Sequence, residues 1–496
     1  MRASFISSLG LLVGVAAASC SGSGDDCSSN GTCLSPDAGG IDAVADVQPD
    51  VPSTCDLTAD LASSPACIDD GVGVFVDGAN GNDANPGTKE APFKTLAKGI
   101  AAAGALPRVY VCATTYAEDL SLTQANAVSI YGGLQCGSWT YDGSMPVVGK
   151  STVAARVDGV TKPVVLSDLT FLAAPGAADG ESSVAAFVTG SADVTLRRVK
   201  LRPGAGKDGA AGSTGSNWSA VAQDDPSIAG KDANGGTGGG SHACTLCVDS
   251  VNSAGGGGGS GGLTATGGSA GTPNLSASPP DDGAAGSGGG TCSAGDNGAN
   301  ASPGTAAPGA TVVGALGTSG WAPAKGGDGP NGGPGQGGGG GGGKAGITGS
   351  GGGAGGGCGG CGGAGGKGGG GGGASIGLAV VASKVTLDTC DVVTVAGGAG
   401  GAGSAGQAGQ LGGYAGTASP GCAAGVGGQG GTGGAGGGGA GGISVGVVYT
   451  GQKPDVDANT SIVVPSTPAH KGAGGAPGVN DGVDGVVETM LQASSS

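Results

Sequence analysis

"VTLRRVKL" at residues 194–201 and "VTLDTCDV" at 385–392 follow one template, apolar-x-apolar-x-x-apolar-x-apolar, although they are far apart in the chain. A third copy, "VVLSDLTF", occupies 164–171. The repeating apolar positions are Val164, Leu166, Leu169 and Phe171; Val194, Leu196, Val199 and Leu201; and Val385, Leu387, Cys390 and Val392. Alternation, a two-residue interruption and alternation again describe two short strands meeting at a corner. Copies of such a unit predict neighbouring coils of one solenoid, with Leu196 against Leu387 and residues 203–373 forming a single excursion from the turn between them. The upstream flanks align in the same frame, Phe187 over Leu378 and Ala185 over Ile376. A second excursion, 396–442, leaves the next coil and returns at "ISVGVVY", and a short third one starts at Lys471. The outward charges then stack as opposites on adjacent coils: Asp168 on Arg198, Arg197 on Asp388, and Lys200 on Asp391. Each such surface pair contributes about 0–1 kcal/mol. Cys390, in an apolar position of the template, is expected to be a buried free thiol acting as a small hydrophobe.

Upstream, "RVYVC", "DLSL" and "VSIYGGL" alternate in the same way between residues 108 and 134. Cys112 and Cys136 are about one coil apart, and strands stacked at about 4.8 Å satisfy disulfide geometry, so these two are expected to be bonded. The stretch 74–98, "VFVDGANGNDANPGTKEAPFKTLAK", holds a β run, turn residues and a short helix with Phe93, Leu96 and Ile100 at helical spacing. It resembles the opening signature of a bacterial domain family of unknown function that caps right-handed parallel β-helices of the pectate-lyase-like kind. That resemblance implies an all-β, right-handed, single-stranded parallel β-helix with an N-terminal capping helix around 95–103, and it carries no catalytic residue. A cap at that place would protect strand edges that otherwise invite aggregation.

The front of the chain reads as an export signal. Arg2 precedes a short apolar run over residues 5–18, too short to span a bilayer. "AASC" (17–20) resembles the lipobox of bacterial lipoproteins, which implies lipidation of Cys20; ordinary cleavage after 16–18 is the other reading. Residues 21–71 are Ser/Asp/Gly/Pro-rich and read as a flexible tether. The organisation expected is therefore 1–20 signal, 21–71 tether, 72–202 solenoid, 203–373 insertion, 374–395 rung, 396–442 insertion and 443–496 final rung and tail. Fourteen cysteines in an exported chain argue for disulfides. Beyond Cys112 and Cys136, the candidates are Cys27, Cys33, Cys55, Cys67, Cys244, Cys247, Cys292, Cys358, Cys361 and Cys422. A net charge of −17 repels nucleic acid and anionic lipid, so membrane contact is expected through the lipid anchor only.

Of 496 residues, 122 are Gly, and within the excursions they recur every third residue: 206 to 215, 326 to 341, 397 to 412 and 427 to 442. Three residues per turn is the period of the extended polyproline II helix, which has no internal hydrogen bonds. One such run alone cannot offset the about 1–2 kcal/mol per residue that ordering costs. Runs laid side by side approach closely enough for inter-run N–H to C=O bonds and Cα–H contacts. Two readings are open, a polyglycine II-like bundle and a disordered linker. Similar glycine triplets occur in PGRS-type bacterial surface proteins and in glycine-rich antifreeze proteins, a similarity of period confined to these loops.

Candidate chemistry is sparse. His242, Cys244 and Cys247 with Cys358 and Cys361 have the spacing of a zinc site, against which export favours two disulfides. The only histidines, His242 and His470, lie in loop sequence with no nucleophile motif beside them. No catalytic residue, metal or cofactor is assigned. The function expected is a non-catalytic cell-surface lipoprotein of the outer membrane, or an extracellular one, that binds surface glycans or partner proteins. The alternatives are a polysaccharide lyase or glycoside hydrolase on a β-helix, and ice or surface-water binding by a flat glycine bundle.

Overall fold

The computed structural model describes residues 54–275, 283–346 and 348–495, together with Pro52. The expected signal segment, with Cys20, and the disulfide candidates Cys27 and Cys33 lie outside the described residues. Three stacks of parallel strands make the walls of a β-helix. The first wall runs Gly73–Val76, Arg108–Cys112, Ser129–Leu134, Val164–Ser167, Val194–Arg197, Val385–Asp388 and Asp455–Val456. The second runs from Thr115–Tyr116 through Thr170–Leu172, Lys200–Arg202 and Asp391–Val393 to Ser461–Val463. The third runs from Leu120–Thr123 through Ser183–Thr189, Ser375–Val381 and Ser444–Thr450 to Val487–Gln492.

The register follows from the apolar template. Leu166, Leu196 and Leu387 are successive partners in the first wall, and Phe171, Leu201 and Val392 in the second. Their side chains fill one continuous interior with Val109, Val111, Ile130 and Leu378. Each fully buried Leu or Phe contributes about 1.5–3 kcal/mol relative to exposure. The corner between the first two walls is made by residues at positive φ on successive coils, Asp168, Arg198 and Thr389 at 56°, 50° and 55°. At the N-terminal end the helix Leu96–Ala102, capped by the Thr95 hydroxyl, inserts Leu96 and Ile100 into the same interior.

Two expectations need correction. In the third wall Phe187 registers with Ala379, not Leu378, which pairs with Ala186, and Ile376 registers with Val184, not Ala185. The turn 382–384 that follows is one residue shorter than its counterpart 190–193, so the two strands slide by one position. A one-residue slip changes faces, and Phe187 accordingly packs outside the wall while Leu378 packs inside. The tether also ends earlier than residue 71: Leu61, Cys67, Ile68 and Val72 are buried against Phe75, Tyr110, Tyr131 and Trp139 on the outside of the first wall.

Every glycine excursion leaves from the same corner, between the second and third walls: after Arg202, after Val393 and after Val463. On the way, the hairpin Gly314–Gly317 and Gly320–Pro323 lays Leu316 and Trp321 over Ile376, Val445 and Val448 on the outside of the third wall.

Candidate functional site

With side chains absent, backbone groups must pair with other backbone, and a three-residue turn presents donors in three directions. The run 352–373 shows the result. Gly360, Gly363, Gly366 and Gly369 donate to the carbonyls of Gly428, Gly431, Gly434 and Gly437, each at 2.9 Å. Its own carbonyls at Cys358, Cys361 and Ala364 accept from Gly413, Gln410 and Gln407, and those at Gly360, Gly363, Gly366 and Gly369 accept from the run 326–335. Around it stand 324–344, 422–442, 396–417, the column formed by 207–213 and 228–235, the short run 236–241, and 253–261. The runs 324–344 and 422–442 are ringed in the same manner, the first by 254–262, 266–272, 283–289 and 292–310, the second by 292–310, 469–475 and 480–485. Three mutually adjacent runs therefore form the centre of a hexagonal bundle, and shorter runs form its rim.

This lattice explains where glycine is obligatory. A Cβ on Gly362 would lie 1.8 Å from the Gly332 carbonyl oxygen, and one on Gly363 would lie 1.8 Å from that of Gln407. Side chains appear only on faces where a neighbour is missing or leaves room. On one face of 324–344, Gly337, Gly340 and Gly343 abut the carbonyls of Ala254, Gly257 and Ser260; beyond the end of that neighbour the same face carries Asp328, Asn331 and Pro334. In 422–442, Gly438 and Gly441 abut Gly472 and Ala469, and past their end the face carries Val426, Gln429 and Thr432.

Those rim side chains also replace missing carbonyls. Asn297 and Asn300 accept from the amides of Val426 and Gln429, Asp328 from Gly368, Asp208 from Ala399, Asp232 from Thr417, and Asp484 from Lys471. Hydrogen bonds from backbone and hydroxyl of Thr417 hold Asp232 below the usual carboxylate range; Gly368 and Lys367 do so for Asp328, and Gly474 and Gly478 for Asp481. These carboxylates are thus committed to closing an edge, which is the bundle's version of the protection that exposed strand edges require.

The cysteines tie this architecture together. Disulfides join Cys244 to Cys358, Cys247 to Cys361 and Cys292 to Cys422 in the bundle, Cys112 to Cys136 across adjacent coils, and Cys55 to Cys67 in the N-terminal arm. The two CxxC arms meet as two bonds, so their sulfurs are not thiolates that a zinc ion could take, and His242 Nδ1 lies 2.8 Å from the Ala229 carbonyl oxygen. Asp77 lies near the Cys112 and Cys136 sulfurs, but these too are bonded to each other. Cys390 is buried and free, with Sγ 3.2 Å from the Leu196 carbonyl; burial pushes its thiol up to about 11, which unfits it as a nucleophile.

The inter-coil charges fall as follows. Arg198 Nε bonds Asp168 at 2.6 Å, and Arg197 Nε bonds Asp388 at 2.8 Å. The expected partner of Asp391 is corrected: Lys200 is its register neighbour, but Arg202 makes the ion pair. Arg202 lies two residues further along the same strand, and its planar fork reaches both the carboxylate and the main-chain carbonyl of Asp391, at 2.7 Å for the carbonyl. Asp60, which the sequence hid inside an apparent tether, completes the cluster by bonding Arg198, while Tyr141 donates to Asp168 at 3.2 Å. Burial raises the Asp60 carboxyl, but bonds from Arg198 and Ala62 outweigh it and leave the group below its ordinary value. This cluster clips the arm to the solenoid.

The cysteines and the apolar alternation were visible as signals; the Asn and Asp rim positions had one too, since they interrupt glycine triplets in step with the period. A family model described as protein of unknown function (DUF1565) matches residues 79–154, the capping helix and first coils. No curated protein and no solved structure matches the chain. Among the described residues no helix is long and apolar enough to cross a membrane, and the disulfides fit export.

Proposed function

We propose that this is an exported, non-catalytic display protein of the cell surface, tethered through a lipid on Cys20, in which a pectate-lyase-like β-helix serves as the mounting for a PGRS-like glycine bundle that contacts surface glycans or partner proteins. The observation that carries the reading is the common corner from which all the excursions emerge. Elongation there leaves the interior of the coils untouched and adds to one outlying body. Its rigidity is supported by three disulfides and by backbone bonds in three directions. A regular rigid face suits many weak contacts to a repetitive surface. Asp328 and Asp232 close backbone amides and Asp388 and Asp168 pair with arginine, which supports a structural use of these carboxylates.

The test is sedimentation of the labelled full chain with isolated cell envelopes, beside an assay with calcium and acidic polysaccharides. Co-sedimentation without new ultraviolet-absorbing unsaturated ends is expected. Appearance of such ends would replace this reading with a polysaccharide lyase.

A further inference from the structure

Aromatic residues are only 3% of the chain. Within residues 203–442 there are just Trp218, Trp321 and Tyr414, and Trp321 is buried beneath its hairpin. The other two lie along one flank of the run 396–417. The Trp218 indole N–H donates to the Ala408 carbonyl at 3.0 Å, and Gln407 Nε2 holds the Trp218 carbonyl. Three residues per turn place Ala408, Leu411 and Tyr414 on the same face, about 9 Å apart. Leu411 and Tyr414 are 53% and 51% exposed, and with Trp218 beside them they form an apolar strip along a single run.

The flank is preorganised. Gln223 Nε2 donates to the Gly412 carbonyl, and its own carbonyl accepts from the Tyr414 amide, both at 2.8 Å. Beside Tyr414 a cleft of about 340 Å³ is lined by Asp224, Pro226, Lys231 and Asp232. Asp225 and Asp232 are engaged, with Ser227 and Thr417. Among the described residues, the Asp224 carboxylate, the Lys231 ammonium and the Tyr414 hydroxyl make no hydrogen bond or ion pair, and all three residues line this cleft.

We propose that the strip Trp218, Leu411 and Tyr414, with the cleft at its end, binds a neutral polysaccharide. Aromatic and leucyl faces match the apolar C–H face of sugar rings, and the free carboxylate, ammonium and hydroxyl match their hydroxyls. Anchors spread over about 19 Å call for several sugar units in an extended chain, not one monosaccharide. Carboxylates at the cleft and the net charge of −17 disfavour uronic acid polymers. The Trp218 ring, already held by its bond to the Ala408 carbonyl, loses little freedom on binding. The inference rests on the surface-binding reading and gives that reading a ligand class and a place.

Affinity electrophoresis of the full chain through gels holding a neutral glucan or mannan, or polygalacturonate, tests it. Retardation by a neutral polymer alone is expected, with Tyr414→Ala and Trp218→Ala each weakening it about tenfold and Tyr414→Phe keeping most of it. Unchanged hydrogen exchange in the variants shows the bundle intact. Undiminished retardation of the Tyr414→Ala, Trp218→Ala double variant overturns the site while leaving envelope binding in place. No retardation by any neutral polymer overturns the ligand class, and co-sedimentation with envelopes then points to a protein partner.

Discussion

The solenoid and the bundle solve the same problem, a backbone that must pair all its polar groups, with opposite use of side chains. In the solenoid each strand pairs with the coils above and below it, and alternate side chains fill the inside: Leu166, Leu196 and Leu387 form one such row. In the bundle a central run pairs in several directions at once, and at glycines such as Gly362 and Gly363 a side chain would occupy the place of a neighbouring carbonyl. One body is stabilised by what its residues carry, the other by what they lack. Substitution should therefore act in opposite senses on the two.

The sharpest break is expected at Gly362. Gly362→Leu places branched bulk where the Gly332 carbonyl already stands, and backbone cannot give way as a flexible side chain can. We expect a loss of about 5 kcal/mol or more in bundle stability, read as accelerated amide exchange across 203–373 and 396–442 with the coils 108–172 unaffected. The converse change, Leu166→Ala in the solenoid, removes apolar volume from the interior and should cost about 2–5 kcal/mol in thermal or denaturant unfolding of the coils. Removing the Cys247–Cys361 bridge by paired Ser substitutions should cost about 2–4 kcal/mol, again confined to exchange in the bundle.

Acid should separate the bodies further. Asp232, Asp328 and Asp481 titrate below their ordinary values when folded. Their contribution is complete above the unfolded carboxyl value of about 4 and disappears as pH falls through the lower folded values. Protection factors, the ratio of intrinsic to observed exchange, should therefore fall at the rim amides of Thr417, Gly368 and Gly474 as pH drops toward 2, while those of the Leu196 and Leu387 amides hold. The smallest effect is expected at Gly240, where an added Cβ meets nothing within 4 Å. Gly240→Ala should be neutral, or stabilising by about 0.5 kcal/mol through the unfolded chain, in the same melting experiment.

How much of this was legible depended on whether a feature lives in side chains. The match of Leu196 with Leu387 was readable because both rows of the template repeat, and the cap at Leu96–Ala102 because its turn and helix residues are distinctive. The one-residue slip of Phe187 was not, since it depends on the length of the turn 382–384. The glycine period was plain, but it left a polyglycine II-like bundle and a disordered linker both open. Which run lies beside which was hidden, because backbone recognises backbone without any complementary residue. The exceptions, Asn297, Asn300, Asp328 and Asp232, mark the rim once the lattice is known. Asp60 stayed hidden in a stretch whose composition reads as linker, and Arg202 displaced Lys200 through reach, which spacing does not express. The aromatic flank was invisible for a similar reason: Trp218 and Tyr414 meet one run only after the chain has folded back.

Placing 203–374 between two adjoining rungs has a consequence for how the chain assembles. Leu196 and Leu387 are direct partners although almost two hundred residues separate them in sequence. Closing a flexible loop of that length carries an entropic barrier that grows only slowly with length, but contacts of such high sequence separation make folding slow. A compacted insert brings its two ends together and converts a distant encounter into a local one. The coil that contains this insertion should thus be the kinetic bottleneck, with the N-terminal coils forming first and waiting on their own ornament before the rest of the tube can wind.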